Sequence, residues 1–158
     1  MTPEEFIEMV APAAAICTEH GLYPSVCIAQ AALETGWGRN RTLGNNLWGR
    51  KHHYGRGIIK ATREVVDRQN IYGDATFQHY ESIEEGARDY CDLFNNHPKF
   101  ARVDRSNRET FIDEMGPLYA TDAPEEVDGD PSYAEKIHNI IAKWDLTKFD
   151  SEDATCQE

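Results

Sequence analysis

The sequence predicts an α+β fold that is mostly helical and contains one small β-hairpin. Helix-start signatures recur along the chain, and the two clearest are Thr2-Pro3-Glu4-Glu5 and Ser82-Ile83-Glu84-Glu85. Strand-forming residues instead concentrate in one stretch, residues 57–80, where they flank turn residues. The 158 residues are enough for one domain with a substantial hydrophobic core.

The first two helices are predicted from their apolar residues. The first opens at Thr2 and ends at Gly21, because its apolar residues recur at helical spacing. That stripe comprises Phe6, Val10, Ala13 and Cys17. The second helix is expected to begin with Ser25 as its N-cap and to run to Thr35. Nearly every face of it is apolar, which predicts a central, buried helix.

A loop and the hairpin follow. Residues 39–54 are rich in Gly and Asn and predict an ordered, irregular loop of the kind that often carries function. In the hairpin, one strand is predicted from Ile58 to Val66 and its partner from Ala75 to Tyr80. The turn between them is expected at Asn70–Asp74.

The remaining chain predicts three more helices. Ser82 opens a helix that ends before Pro98, and a shorter helix is expected from Asn107 to Met115, before Gly116-Pro117. The last helix begins at Pro131 and carries an apolar stripe as far as Trp144. We therefore expect one domain over residues 1–148, followed by an acidic, flexible tail over residues 149–158.

Composition excludes several classes of partner. The chain carries 16 Lys and Arg against 28 Asp and Glu, a net charge of −12, which argues against nucleic acid as a partner. No apolar run approaches the roughly 18 residues that a membrane helix needs, so no membrane insertion is expected. We expect a monomer.

The cysteines predict neither metal binding nor disulfides. Cys17, Cys27 and Cys91 lie among apolar residues of predicted helices and are expected to be buried, reduced thiols. His52-His53 has no Cys or carboxylate partner at a metal-binding spacing. We therefore expect no metal site and no cofactor.

Glu34 is the candidate catalytic residue with the clearest physical rationale. It lies near the C-terminal end of the predicted buried helix. Burial and the negative end of the helix dipole both disfavour the carboxylate, so both raise the pKa of Glu34. A carboxylic acid that stays protonated near neutral pH can act as a general acid. The alternative interpretation is a solvated glutamate on the surface.

Aromatic and amide side chains cluster after Glu34 and suggest a sugar-binding site. Trp37, Trp48 and Tyr54 lie in or beside the Gly/Asn loop, and their faces could stack on sugar rings. Asn45 and Asn46 offer donors and acceptors for hydroxyl or N-acetyl groups. Ordinary packing is the alternative for each of these residues taken alone.

Five motifs, in order along the chain, resemble glycoside hydrolase family 73. This family contains bacterial endo-β-N-acetylglucosaminidases that degrade peptidoglycan, including autolysins and the flagellar rod-cap hydrolase. The similarity extends from about Phe6 to Trp144, nearly the whole chain. The matching segments are Pro24–Gly38, Asn45–Gly49, Thr62–Glu64, Phe77–Ser82, and Tyr119–Asp122 together with Tyr133–Ile137.

The resemblance implies a lysozyme-like fold whose hairpin flanks a glycan groove. It implies Glu34 as the general acid and Glu64, on the hairpin, as the base or the stabiliser of an oxocarbenium-like transition state. Asp67 is the substitute if Glu64 does not fill that role. Tyr119 is implied to orient water or the N-acetyl group, and Thr121 of the same motif is a further substrate contact. A substrate-assisted mechanism would need only the one carboxylate.

The sequence departs from the family pattern at three places. Arg50-Lys51 stands where the family has an apolar residue and then Lys, and Leu118 stands where Gly is common. Residues 123–130 interrupt the usual junction after Asp122. These departures bear on substrate specificity more than on the reaction.

The sequence therefore predicts a hydrolase that cleaves the β-1,4 bond after N-acetylglucosamine in peptidoglycan glycan strands. Cleavage after N-acetylmuramic acid, as in lysozymes, is the alternative on the same fold. A non-catalytic glycan-binding module is the alternative from another class. The substrate is extracytoplasmic and no signal peptide is seen, so we expect phage-type release or a domain cut from a secreted protein.

Overall fold

The computed structural model describes residues 1–120 and 130–150, except for the side chain of Glu64. Within these ranges the chain forms six α-helices, two 3₁₀ segments and one hairpin, which confirms the predicted α+β class. The helices are α1 Pro3–Ala14, α2 Pro24–Thr35, α3 Ile83–Asn96, α4 Pro98–Ala101, α5 Arg108–Tyr119 and α6 Tyr133–Lys143. The strands are β1 Gly57–Val66 and β2 Gln69–Gln78, and the 3₁₀ segments are Ala15–His20 and Leu146–Phe149.

Helix α2 forms the centre of the core, as its apolar sequence predicts. Ten of its twelve residues are buried, and it contacts α1, α6 and both 3₁₀ segments. Ser25 is not the N-cap, because the helix already begins at Pro24 and Tyr23 occupies the cap position. Gly36 ends α2 in the left-handed conformation (φ 55°), which costs a glycine little.

Helix α5 is longer than the sequence predicts. It begins after its N-cap Asn107, as expected, but continues through Gly116-Pro117 to Tyr119. A Cβ added to Gly116 would lie 2.9 Å from the Cβ of Ala134, so the glycine permits the close packing of α5 on α6. Proline near the C-terminal end removes one helical hydrogen bond without stopping the helix.

The hairpin has its turn earlier than predicted. Strands β1 and β2 pair antiparallel over ten residues each, and Asp67-Arg68 connects them. Both turn residues have positive φ, 50° and 65°, which the two-residue turn of twisted hairpins requires. The predicted turn at 70–74 is therefore wrong, because Asn70 to Asp74 lie within β2. Lys51 adds an isolated bridge to Phe77 on the far side of β2.

The C-terminal end of the described chain belongs to the folded domain. Asp150 is fully buried and accepts hydrogen bonds from the backbone N–H and the hydroxyl of Ser25, at 2.9 and 2.6 Å. Arg108 Nη1 lies 2.8 Å from the same carboxylate. Asp150, which the prediction assigned to the tail, is thus part of the folded domain. Residues 151–158 lie outside the described residues, so a flexible tail there stays a prediction.

The cysteine prediction is confirmed where the structure describes the chain. Cys17, Cys27 and Cys91 are free and buried, and the thiols of Cys17 and Cys91 lie 3.7 Å apart. The neighbouring Cys27 thiol and burial raise the pKa of Cys17 well above its usual range, whereas the hydrogen bond with Cys91 opposes part of this shift. No helix in the described ranges is long and apolar enough to cross a membrane.

Candidate active site

An open groove of about 450 Å³ lies between the C-terminal end of α2 and the base of the hairpin. The irregular loop that follows α2 forms its floor. Its described lining residues are Glu34, Thr35, Asn40, Thr42, Leu43, Asn46, Leu47, Trp48, Gly49, Lys51, Lys60, Phe77, Tyr119, Ala120 and Tyr133. The groove therefore brings together Glu34 and Tyr119, two of the three catalytic candidates.

Glu34 lies in the groove with its carboxylate reachable from solvent. The protein atoms packed around it reduce its hydration, and this desolvation raises the pKa of the Glu34 carboxyl. A hydrogen bond from the Tyr133 hydroxyl, at 3.3 Å, partly opposes the shift because it favours the ionised form. The raised pKa favours the protonated acid, which can deliver its proton to a group bound in the groove.

A chain of three hydrogen bonds connects Glu34 to the core. The Tyr90 hydroxyl donates to Gln30 Oε1 at 2.5 Å, and Gln30 Nε2 donates to the Tyr133 hydroxyl oxygen at 3.1 Å. The Tyr133 proton is then directed to Glu34. Since Gln30 and Tyr90 are fully buried, this chain holds the donor against the carboxylate from inside the protein.

Tyr119 holds the loop backbone beside Glu34. Its hydroxyl donates to the carbonyl oxygen of Trp48 at 2.6 Å, and its ring stacks on Tyr133 with a centroid distance of 5.8 Å. Gly49, the residue after Trp48, lies beside Glu34, because a Cβ added to it would be 3.8 Å from Glu34 Oε2. Burial raises the pKa of Tyr119 well above its usual range, so the phenol stays protonated.

Asn46 joins the loop to the base of the hairpin. Its amide nitrogen donates to the carbonyl oxygens of Arg50 and Gln78 at 2.9 and 3.0 Å, and its oxygen accepts from the Arg50 N–H at 3.0 Å. The side chain lines the groove but is buried and already bonded. Asn46 therefore holds the groove wall, and its role as a sugar contact stays a prediction.

Both tryptophans pack against apolar side chains, and their stacking on sugar rings stays a prediction. Trp48 is 1% exposed and donates its indole N–H to the carbonyl oxygen of Cys27, so only its edge reaches the groove. Trp37 lies outside the groove lining, where its ring packs between Phe6 and Trp144. The left-handed turn after α2 turns Trp37 towards α1, and its own φ is 61°. The apolar core takes up the Trp48 ring almost completely and the Trp37 ring in part.

Two further candidates lie away from the groove, and one is not described. The Asn45 amide donates to the Tyr80 carbonyl oxygen at 3.1 Å, on the far side of the loop. Tyr54 is 43% exposed and donates to Glu85 at 2.9 Å. Its predicted sugar contact is therefore not supported by its position. Thr121 lies outside the described residues, so its role stays a prediction.

Positions 64 and 67, which carry the carboxylate candidates of the hairpin, lie towards its tip. The backbone of Glu64 pairs with Ile71, and position 64 falls four residues after the groove-lining Lys60. By strand alternation positions 60 and 64 share one face, about 13 Å apart along the strand. Asp67 forms the exposed turn itself. The side chain of Glu64 lies outside the described residues.

The hairpin side of the groove carries two ammonium groups. Lys60 Nζ donates to the Thr42 hydroxyl at 2.8 Å, and Lys51 Nζ lies 4.6 Å from the centre of the Phe77 ring. Within the described ranges no group of three or more His, Cys, Asp or Glu residues could hold a metal ion. The site therefore offers acid–base and hydrogen-bonding chemistry from its own side chains.

Comparison with known proteins assigns this arrangement to a family. A sequence profile of the glucosaminidase family, described as mannosyl-glycoprotein endo-beta-N-acetylglucosaminidase, matches residues 10–146. The chain belongs to this family. The resemblance to glycoside hydrolase family 73 is thereby confirmed.

The curated relatives are longer than this chain. A probable N-acetylmuramidase of Lactococcus lactis subsp. cremoris is 34% identical over 160 residues, covering 93% of this chain and 35% of the relative. The exo-glucosaminidase LytG of Bacillus subtilis is 32% identical over 158 residues, covering 92% and 52%. The glucosaminidase domain thus spans about a third to a half of the length of these relatives.

A solved structure confirms the predicted lysozyme-like fold. The catalytic domain of the autolysin Auto from Listeria monocytogenes superposes with a TM-score of 0.73 at 30% identity. The match covers 94% of this chain and 87% of that one. The glucosaminidase fold thus extends over nearly the whole chain.

Sequence reasoning missed the residues that support Glu34 in this glucosaminidase domain. Tyr133 appeared only within a family motif, and its contact with Glu34 arises because α6 packs against α2. Gln30 did carry a signal, because it is an amide in the middle of an otherwise apolar helix. A buried amide needs partners, which predicts a hydrogen-bonded network around it. Lys60 gave no signal.

Proposed function

We propose that this chain is a glycoside hydrolase of bacterial peptidoglycan that cleaves the β-1,4 bond after N-acetylglucosamine. The observation that carries the proposal is Glu34, a desolvated carboxylic acid in an open groove of a glucosaminidase domain. A glycan strand fits an open groove better than a closed pocket. The action of such an enzyme on the cell wall is extracytoplasmic.

Glu34 is the general acid in this proposal. Its proton passes to the glycosidic oxygen as the bond from that oxygen to the anomeric carbon breaks, and positive charge develops on the sugar ring. Tyr133 stabilises the glutamate that remains, because its hydroxyl donates to Oε1. The same hydrogen bond prepares Glu34 to give up its proton.

Glu64 is proposed as the second carboxylate, which activates water or stabilises the oxocarbenium-like ring. Support comes from the family motif and from the strand register, which gives position 64 the same face as Lys60. Because position 64 lies further towards the hairpin tip than Lys60, this role requires the hairpin to bend towards Glu34 when substrate is bound. If it does not, the N-acetyl oxygen of the substrate supplies the nucleophile, and one carboxylate suffices.

Tyr119 is proposed to position the reacting sugar. Its hydroxyl already donates a hydrogen bond to the Trp48 carbonyl oxygen. The hydroxyl oxygen can still accept a hydrogen bond from an N-acetyl N–H or from water. Loss of the hydroxyl would also release the Trp48–Gly49 backbone that lies beside Glu34.

The choice of bond is tested by end-group analysis. Purified peptidoglycan is digested, new reducing ends are reduced with borohydride, and the products are identified by mass spectrometry. Reduced N-acetylglucosamine supports the proposal, whereas reduced N-acetylmuramic acid moves the cleavage to the alternative bond, as the name of the lactococcal relative would suggest. Absence of new ends from several peptidoglycan types contradicts hydrolysis and favours a glycan-binding module.

A further inference from the structure

The charge of the groove is opposite in sign to the charge of the protein. The chain has a net charge of −12. Among the described lining residues, however, Glu34 is the only carboxylate, whereas Lys51 and Lys60 contribute two ammonium groups. Protonation of Glu34, which the acid mechanism requires, leaves the lysines as the only charges in this lining. An anionic group is therefore repelled by most of the surface but attracted into the groove.

Both lysines belong to one wall of the groove, opposite the helices. Lys60 lies on β1, and Lys51 forms a bridge to Phe77 on the other side of β2. The two residues thus flank the same strand and line the same groove. An extended ligand in the groove could therefore present charged groups to both lysines.

Neither ammonium group is neutralised by the described part of the protein. Lys60 Nζ contacts a neutral hydroxyl, that of Thr42, and Lys51 Nζ contacts the Phe77 ring. In the described residues no carboxylate lies within salt-bridge distance of either lysine. Their positions are thus supported by uncharged contacts, while their charge remains available for a ligand.

We propose that Lys51 and Lys60 form a subsite that binds carboxylate groups attached to the glycan strand. The inference rests on the proposed function, because it names the kind of glycan that the groove accepts. A strand of N-acetylglucosamine alone is neutral. A peptidoglycan strand carries carboxylates on the peptide stem and, where the stem has been removed, on the lactyl ether of N-acetylmuramic acid. The subsite selects the anionic strand over the neutral one.

The test measures binding without turnover, in a Glu34→Gln background. Dissociation constants are compared for this variant and for the same variant with Lys51→Gln and Lys60→Gln added. Three probes are used: stem-bearing peptidoglycan strands, the same strands after an amidase has removed the stems, and a neutral N-acetylglucosamine oligomer. Lys99→Gln is the matched control, because Lys99 also lies over an aromatic ring, that of Phe100, but outside the groove lining.

Removal of both lysines should weaken binding of the stem-bearing strand by about 5- to 10-fold, as expected for two partly exposed ion pairs. The neutral oligomer should bind unchanged, and the difference should shrink in high salt. A loss that persists on stripped strands shows that the freed lactyl carboxylate can occupy the subsite as well as the stem carboxylates, and a loss confined to intact strands identifies the stem alone. The control should change nothing.

Three outcomes contradict the subsite. These are equal loss on the neutral oligomer, no loss on any probe, and the absence of binding to every probe. Lysine-dependent binding combined with no hydrolysis by the wild-type chain would overturn the proposed function but leave the subsite standing. Hydrolysis by the wild type combined with lysine-independent binding would do the reverse.

Discussion

The two walls of the groove are built in different ways. On the helical side Glu34 and Tyr133 are supported by the buried residues Gln30 and Tyr90. On the hairpin side the side chains are largely exposed, and every residue from 65 to 74 is exposed. The helical wall can therefore hold a proton donor in a fixed environment. The hairpin wall can supply charge and contact without determining the stability of the fold.

The largest effect should come from the helical wall. Glu34→Gln removes the proton donor but keeps the shape of the side chain, so the rate of peptidoglycan hydrolysis should fall by at least about 10²- to 10⁴-fold. The measurement is the release of new reducing ends. Glu8→Gln, an exposed substitution on α1, is the control and should retain full activity.

A smaller effect is expected from the hairpin wall. Glu64→Gln should reduce hydrolysis by about 10- to 100-fold if Glu64 assists water, and should leave the free energy of unfolding within about 0.5 kcal/mol of wild type. Urea denaturation alongside the rate assay separates the two quantities. Unchanged activity would favour the substrate-assisted mechanism, in which one carboxylate suffices.

The support behind Glu34 gives a third contrast. Gln30→Met leaves the buried Tyr90 hydroxyl without its acceptor, which should cost about 1–3 kcal/mol of stability. The substitution also removes the hydrogen bond from Gln30 that orients the Tyr133 hydroxyl. Because this hydroxyl then stabilises the Glu34 carboxylate less well, the pKa of Glu34 should rise and the alkaline limb of the pH–rate profile should move to higher pH. Tyr90→Phe should lower stability without moving this limb, because the contact between Gln30 and Tyr133 remains.

The smallest effect concerns stability and pH. Because the pKa of Glu34 is raised in the folded state, the folded protein binds more protons than the unfolded chain above the ordinary glutamate range. Glu34 therefore lowers stability as the pH rises from that range through its folded-state pKa. The Glu34→Gln variant should gain melting temperature relative to wild type over this window and show no gain at lower pH. Thermal unfolding across pH measures the difference.

The sequence predicted the helical wall better than the hairpin wall. Capping residues and apolar periodicity determine α1 and α2 locally, so Glu34 could be placed at the end of a buried helix. The turn at Asp67-Arg68 was missed because Asn70 and Gly73 are stronger turn formers by composition, whereas strand pairing over ten residues determines the actual register. Local preference and long-range pairing disagree there, and pairing prevails.

The aromatic residues show why the position of a site contact is harder to predict than the position of Glu34. Trp37 and Trp48 could stack on a sugar or fill a core, and sequence contains no information that separates the two. Their burial depends on how α1, α6 and the loop pack around them. The same packing brings Tyr133 to Glu34 from nearly a hundred residues away.

The helical wall keeps Glu34 as a proton donor, and the hydrogen bond from Tyr133 adjusts its pKa. The direct measurement is an NMR titration of the Glu34 carboxyl carbon in the wild-type chain and in Tyr133→Phe. We predict a pKa of Glu34 above the ordinary value of about 4.3 in the wild type. In the variant the pKa should be still higher, because the hydrogen bond that favours the carboxylate is lost. A wild-type value at or below the ordinary one, or no change on removal of the hydroxyl, would contradict it.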